Sequence, residues 1–154
     1  MSTSITPFLW FDGRAAQAAA FYTSVFHPEA SSPSDAEAWT DRPFMGTVSL
    51  PGLDLMLFDG GPDHAFSDAV SLFVSVETQE EVDRLWDALS YGGTPGRCGW
   101  LVDQFGVSWQ IVPTALGRLL GSGDPERSMA VHGAMMTMGK LEIAGLQAAF
   151  DGQG

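Results

Sequence analysis

One order of local patterns occurs twice along the chain, and this repetition constrains the fold more than any other feature. Each copy has a strand rich in aromatic and β-branched residues, then an amphipathic helix, then two strands that form a hairpin. The first copy comprises residues 5–11, 14–25, 44–50 and 53–58, and the second comprises residues 70–76, 78–91, 99–103 and 107–112. A repeated unit of this kind predicts a fold built from two related modules.

Two pairs of equivalent residues show that the copies share one spacing. Asp12 and Glu77 end the two first strands, and Phe21 and Trp86 are the large aromatic residues of the two helices. The members of each pair are 65 residues apart. This common offset indicates an internal duplication.

The segments outside the two copies are predicted to be a loop and a set of helices. Residues 29–43 are rich in Ser, Asp and Pro and predict a loop, with a short edge strand near Trp39 as an alternative. After residue 113 the strand pattern ends. Three helices are predicted. The first spans residues 114–120, and the last spans about 141–150. The second begins at the Asp124-Pro125 cap and continues through Met129, His132, Met136 and Gly139, which recur at helical spacing.

The length and apolar content of the chain suit one domain. With 154 residues, 45% of them hydrophobic, the chain buries a core of the size that one domain needs. We therefore predict a single domain of residues 1–154, with module one at about 4–60, module two at about 68–113 and a helical tail at 114–154.

The charge balance argues against several classes of partner. Nineteen acidic and seven basic residues give a formal net charge of −12, which repels phosphate backbones and anionic lipid surfaces. No apolar run reaches the roughly 20 residues of a membrane span, and residues 1–4 carry no basic region before a hydrophobic core. We expect a cytoplasmic protein with no nucleic-acid and no membrane partner.

Several segments resemble one known family. They are residues 5–13, 18–22, 60–62, 77–83 and, as the longest block, Cys98–Pro113 with the sequence CGWLVDQFGVSWQIVP. The resemblance runs essentially from end to end and includes the Asp124-Pro125-Glu126 segment of the tail. These segments resemble the PhnB-like family, which often carries the label 3-demethylubiquinone-9 3-methyltransferase. It belongs to the vicinal oxygen chelate superfamily, also called the glyoxalase/bleomycin-resistance/dioxygenase superfamily.

The resemblance implies a fold and an assembly. The fold is α+β, with two βαβββ modules (the glyoxalase/bleomycin resistance fold) that form curved mixed sheets around a cleft, followed here by C-terminal helices. Proteins of this superfamily are commonly homodimers, so we expect a homodimer. The duplication supports the two-module fold independently, whereas nothing in the residues supports the methyltransferase label.

The resemblance also implies a metal, which the residues do not favour. Enzymes of the superfamily hold a divalent metal through His, Glu or Gln side chains on the first and last strands of each module. The first strands, 5–11 and 70–76, carry none of these residues. The acidic ligand that the superfamily usually has on the last strand corresponds to a position at or beside Gln110. One neutral amide is a poor ligand set for a catalytic metal. We predict no cofactor, with a divalent metal as an alternative whose ligands are largely absent.

Eight residues are candidates for a ligand-binding cleft, and no catalytic residue is assigned. The alternation of side chains in residues 107–112 predicts that Ser108 and Gln110 share the face opposite Trp109. For Gln110, a buried amide paired with the backbone is an equal alternative, and for His64 and Asp59 solvation is the alternative. The candidates are Phe8, Trp10, Met56, Asp59, His64, Trp100, Ser108 and Gln110.

Three functions remain open at this point. The first is the binding of a small, largely apolar molecule without a tightly held metal, because few charged groups fall in the candidate cleft. The second is a glyoxalase-like lyase or isomerase that uses His64, Asp59 and Gln110. The third is a methyltransferase that acts on a quinone precursor, as the family label suggests.

Overall fold

A computed structural model describes residues 2–29 and 44–152 of the chain. The alternative strand near Trp39 lies outside the described residues. The chain divides into two compact units, Met1–Phe66 and Ser67–Gly154, and each is described by itself. The single-domain organisation with its module boundaries stays a prediction.

The first unit contains module one, a three-stranded mixed sheet with one helix. Its elements are β1 (Phe8–Phe11), α1 (Ala15–Phe26), β2 (Met45–Leu50) and β3 (Leu53–Asp59). The strand order is β1-β3-β2, with β1 parallel and β2 antiparallel to β3. The first strand begins later than its composition predicted, at the residue after Pro7, which has no N–H to donate to a neighbouring strand.

The two faces of the module-one sheet differ in what covers them. Helix α1 packs against β2 and β3, and the small side chains of Ala15 and Ala18 are fully buried in this contact. On the strands, the buried positions alternate with more exposed ones. The buried set is Phe11, Val48, Leu55 and Leu57. The alternate residues therefore lie on the face opposite α1.

The second unit contains module two and the helical tail. Module two comprises β4 (Leu72–Val76), α2 (Gln79–Ser90), β5 (Thr94–Pro95), β6 (Trp100–Val102) and β7 (Ser108–Pro113). The strand order is β4-β7-β6-β5, and β4 is parallel to β7. The short strand β5 was not predicted, because two residues, one of them a proline, give no alternation to recognise.

The two modules have the same pattern of strand pairing. In each module the first strand pairs in parallel with the last strand, and the last strand pairs in antiparallel with the strand before it. The first strands end at Phe11 and Val76, which are 65 residues apart. The predicted α+β fold of two related modules is therefore confirmed.

Two polar side chains stabilise the helix and the hairpin of module two. Thr78 Oγ1 accepts a hydrogen bond from the Glu81 N–H at 3.2 Å, which confirms the predicted helix cap. The carboxylate of Asp103, only 3% exposed, accepts hydrogen bonds from the backbone N–H of Phe105 and Val107 and from the indole N–H of Trp109. This residue fixes the turn between β6 and β7.

The tail consists of three helices, α3 (Thr114–Leu120), α4 (Pro125–Met135) and α5 (Ile143–Asp151). Asp124 caps α4 as predicted. Helix α4 ends earlier than the predicted spacing, because the carbonyls of Met138 and Gly139 instead accept hydrogen bonds from the N–H groups of residues 98 and 99. The tail and the end of β7 share a buried cluster of Val112, Leu116, Leu119, Val131, Leu141 and Leu146.

Polar contacts tie the start of α5 to α2. Gln79 Nε2 donates to the Leu141 carbonyl at 3.0 Å, and Gln79 Oε1 accepts from the Ile143 N–H at 2.7 Å. Beside them, Lys140 Nζ lies 2.8 Å from Asp83 Oδ1. The side chain of Gln79 thus provides an acceptor for the N–H of Ile143, the first residue of α5, which has no partner within the helix. Across the described ranges, 2–29 and 44–152, no helix has the length and apolar content to cross a membrane.

Candidate functional site

The face of the module-one sheet opposite α1 carries a group of aromatic and sulfur-containing side chains. We call it the aromatic face, and it consists of Phe8, Trp10, Met45, Met56 and Phe58. Phe8 pairs with Met56, and Trp10 and Met45 both pair with Phe58. The Phe58 ring centroid lies 5.4 Å from that of Phe8 and 5.0 Å from that of Trp10. Phe8 stays 50% exposed.

The segment after β3 holds Trp10 in place at one end of this face. The Trp10 indole N–H donates to the Gly61 carbonyl at 2.9 Å. A Cβ on Gly60 would overlap the Trp10 ring, so only glycine fits there. The His64 ring packs edge-on to Trp10, with centroids 4.8 Å apart. Four sequence candidates, Phe8, Trp10, Met56 and His64, therefore come together in module one.

Asp59 has a different place from the other module-one candidates. It pairs with Phe11, whose side chain lies on the helix-facing side of the sheet. Its Oδ1 accepts a hydrogen bond from the Ala15 N–H at 2.8 Å, at the first residue of α1. The structure thus places Asp59 as the cap of α1, where a negative charge also interacts favourably with the helix dipole.

The corresponding face of module two carries an amide between two aromatic residues. We call the cross-strand row of Phe73, Gln110 and Trp100 the amide row. Gln110 Nε2 donates to Ser71 Oγ at 2.9 Å. Gln110 and Trp100 are half-buried, and Phe73 is 59% exposed.

The other candidate on this strand is enclosed. Ser108 shares the face of Gln110 by alternation but is only 2% exposed. Val112, further along the same face, is buried against the tail.

Sequence reasoning missed Phe58 and Phe73 as site residues. A signal for Phe73 was present, because it lies 65 residues after Phe8 and therefore occupies the equivalent position. Met56 and Gln110 are equivalent by strand pairing, since Met56 pairs with Phe8 and Gln110 pairs with Phe73. Phe58 lay in a predicted strand, and its place opposite Trp10 needed the register of β1 and β3.

Comparisons with known proteins identify the family. The family model described as 3-demethylubiquinone-9 3-methyltransferase matches residues 3–112. The chain belongs to this family. The predicted resemblance to the PhnB-like family is therefore confirmed. No curated protein matches the chain.

Two solved structures are similar over most of this chain. A putative 3-demethylubiquinone-9 3-methyltransferase, PhnB protein, from Bacillus cereus is 30% identical, with a TM-score of 0.56; the match covers 72% of this chain and 99% of that one. Protein PA1353 from Pseudomonas aeruginosa is 25% identical, with a TM-score of 0.57, and the match covers 73% and 98% of the two chains. The family match ends at residue 112, so the helical tail lies outside it.

The donor set of this family member does not fit the divalent metal that the superfamily implies. Paired positions of the first and last strands hold Phe8 with Met56 in module one and Phe73 with Gln110 in module two. Only Gln110 among them offers an oxygen. Within residues 2–29 and 44–152, no three His, Cys, Asp or Glu side chains form a group that could hold a metal ion. Hard divalent metals need several such ligands.

Proposed function

We propose that the chain binds a small, largely apolar molecule on the aromatic face of module one, without a tightly held metal. The observation that carries this proposal is the half-exposed Phe8 beside Met56 and Phe58, on a sheet whose other face is closed by α1. A contiguous apolar patch on a protein surface often marks a binding site. An aromatic ring in the ligand would gain from edge or offset contacts with Phe8 and Phe58.

Polar groups at the border of the aromatic face support a ligand with few polar atoms. The exposed His64 ring next to Trp10 offers a nitrogen that can donate or accept a hydrogen bond. The five side chains that define the aromatic face carry no charge, and the exposed Asp54 lies on the same side of the sheet, two residues before Met56. Sites for apolar ligands commonly use one or two polar groups of this kind to fix orientation.

Binding of the neutral fluorescent probe N-phenyl-1-naphthylamine tests this proposal. We expect Phe8→Ala to weaken binding about three- to tenfold, because an aromatic contact contributes about 0.5–1.5 kcal/mol beyond the area it buries. Tyr91→Ala is the matched control, since Tyr91 is another exposed aromatic residue, 76% exposed, in the other unit. Equal probe affinity of wild type and Phe8→Ala, at unchanged thermal stability, would contradict the proposal.

The metal content of the purified protein tests the second part of the proposal. We expect divalent metal well below one equivalent after gel filtration, because one amide among the paired strand positions is a weak ligand set. A stoichiometric divalent metal that survives chelator treatment would overturn this part.

Methyl transfer to a quinone precursor is a second candidate function. It is favoured by the description of the family and by the printed name of the Bacillus cereus relative. A flat quinone ring also suits the aromatic face. Calorimetric titration with S-adenosylmethionine tests this candidate: saturable binding would favour it, and no binding at millimolar donor would remove it.

We also propose that the chain forms a homodimer, as the family resemblance implies. Light scattering coupled to gel filtration measures the mass directly. A mass near twice the 16.5 kDa of one chain would support the dimer. The monomer mass at concentrations of about 100 μM would contradict it.

A further inference from the structure

We propose that the amide row of module two binds a neutral aromatic hydroxy compound. The proposal concerns Phe73, Gln110 and Trp100, at the strand positions where the superfamily would hold a metal and where this chain has an amide and two rings. It goes beyond the apolar site of module one, because it uses other residues and different chemistry.

The first observation is that the hydrogen-bonding capacity of the row is partly unused. Gln110 Nε2 is held by Ser71 Oγ. Among the described residues, Gln110 Oε1 and the Trp100 indole N–H have no hydrogen-bond partner. The Ser71 hydroxyl accepts from Gln110, so its own proton is left to donate. The row and the neighbouring Ser71 thus offer one acceptor and two donors.

The second observation is that Gln110 lies between two aromatic residues on the neighbouring strands. Phe73 and Trp100 are the cross-strand neighbours of Gln110 on its two sides. Neighbouring strands lie about 4.8 Å apart, so the three residues are adjacent across the sheet. Phe73 is 59% exposed, and its ring is therefore accessible to a ligand.

These two observations select a class of ligand. A hydroxyl on an aromatic ring can donate to Gln110 Oε1 and accept from Ser71 or Trp100, while its ring contacts Phe73. An ether or a ketone can only accept, which leaves Gln110 Oε1 without a donor. A carboxylate also lacks the donor, and the net charge of −12 disfavours it further.

A matched pair of probes tests the proposal on the full chain. 1-Naphthol and 1-methoxynaphthalene have the same ring, but only the first can donate a hydrogen bond. We expect the wild type to bind 1-naphthol about three- to tenfold more tightly at neutral pH, the usual net effect of one hydrogen bond. The side-chain amide signals of Gln110 in an NMR titration should shift with 1-naphthol.

Variants then assign the preference to Gln110. Gln110→Leu keeps the size of the side chain and removes its polar atoms, so the affinity ratio should fall to about one. Gln147→Leu is the control, because it makes the same change at a half-exposed glutamine of α5 and should keep the wild-type ratio. Unfolding midpoints of both variants show whether they fold.

Three results would each overturn the proposal. They are equal affinity of the wild type for the two probes, a preference that persists in folded Gln110→Leu, and unshifted Gln110 amide signals at saturating 1-naphthol. If wild type and Phe8→Ala bind N-phenyl-1-naphthylamine equally well while the preference for 1-naphthol remains, only the module-one proposal is contradicted. The two proposals are therefore tested separately.

Discussion

Module one and module two have the same strand pairing but different chemistry on the faces opposite their helices. Phe8 and Met56 in module one occupy the positions of Phe73 and Gln110 in module two. One face is aromatic and sulfur-rich, and the other has an amide with unused hydrogen-bonding capacity. The two modules therefore share their strand pairing, whereas their exposed faces carry different side chains.

The modules also differ in the segments that come after their last strands. After β3, the short segment through Gly60 and Gly61 lies against Trp10. After β7, the chain continues into α3, and the tail buries Val112 in its own cluster. The tail that covers this part of module two lies outside the family match, which ends at residue 112.

The largest expected effect concerns the hairpin turns, which the two modules stabilise differently. Asp103→Ala should lower the free energy of unfolding by about 3 kcal/mol, because three donors, two of them in the turn, lose a buried acceptor. Pro51→Ala, in the module-one turn, should cost less than about 1 kcal/mol, since only unfolded-state entropy changes. Urea unfolding measures both values, and similar costs for the two turns would contradict the difference.

The next effect compares the caps of the two helices. Asp59→Ala removes the acceptor for the Ala15 N–H, and Thr78→Ala removes the acceptor for the Glu81 N–H. Each should lower the free energy of unfolding by about 1 kcal/mol.

A conservative variant separates capping from charge. Asp59→Asn keeps an accepting oxygen and should recover most of the stability that Asp59→Ala loses. If Asp59→Ala is as stable as the wild type, the capping role of Asp59 is wrong.

The smallest effect concerns the ion pair between Lys140 and Asp83 in the second unit. A hydrogen bond from Lys140, the only lysine of the chain, and one from Gln79 hold the pKa of Asp83 below its ordinary 3.8, and the same Asp83 contact raises the pKa of Lys140 above 10.5. The contribution of Asp83 is present above pH 3.8 and is lost as the pH falls through its lowered pKa. The contribution of Lys140 is present below pH 10.5 and is lost as the pH rises through its raised pKa.

Lys140→Met should therefore be slightly less stable than the wild type at neutral pH and equal to it in strong acid. Arg118→Met removes the same charge from α3 and is the control. Both variants are compared with the wild type by urea unfolding at the two pH values. A stability difference that does not change with pH would show that the ion pair contributes nothing.

The sequence predicted the fold well, because its signals are local. Alternation located the strands, and capping residues located helix starts at Thr78 and Asp124. The predicted offset of 65 residues holds for the ends of the first strands, Phe11 and Val76. It is wrong for the helices, because the buried aromatic residue equivalent to Trp86 is Tyr22, 64 residues earlier. Predicted helix ends were wrong where residues distant in sequence form hydrogen bonds with the chain. At the end of α4, the carbonyls of Met138 and Gly139 accept hydrogen bonds from the N–H groups of residues 98 and 99.

The candidate site was less predictable, because it depends on contacts between distant residues. The role of Asp59 as a cap rests on Ala15, 44 residues away. The grouping of Trp10 with His64 and Gly61 depends on the path of the chain after β3. By contrast, the shared face of Ser108 and Gln110 followed from alternation alone, although alternation could not show that Ser108 is buried.

The seven methionines allow a direct test of the central claim, that a small apolar molecule binds the aromatic face. Methyl NMR spectra of methionine-labelled protein should be recorded during titration with N-phenyl-1-naphthylamine. We predict that the Met56 and Met45 signals shift most, although Met129 and Met136 on the tail are highly exposed, at 70% and 51%. Larger shifts at Met129 and Met136, with Met45 and Met56 unmoved, would contradict the account.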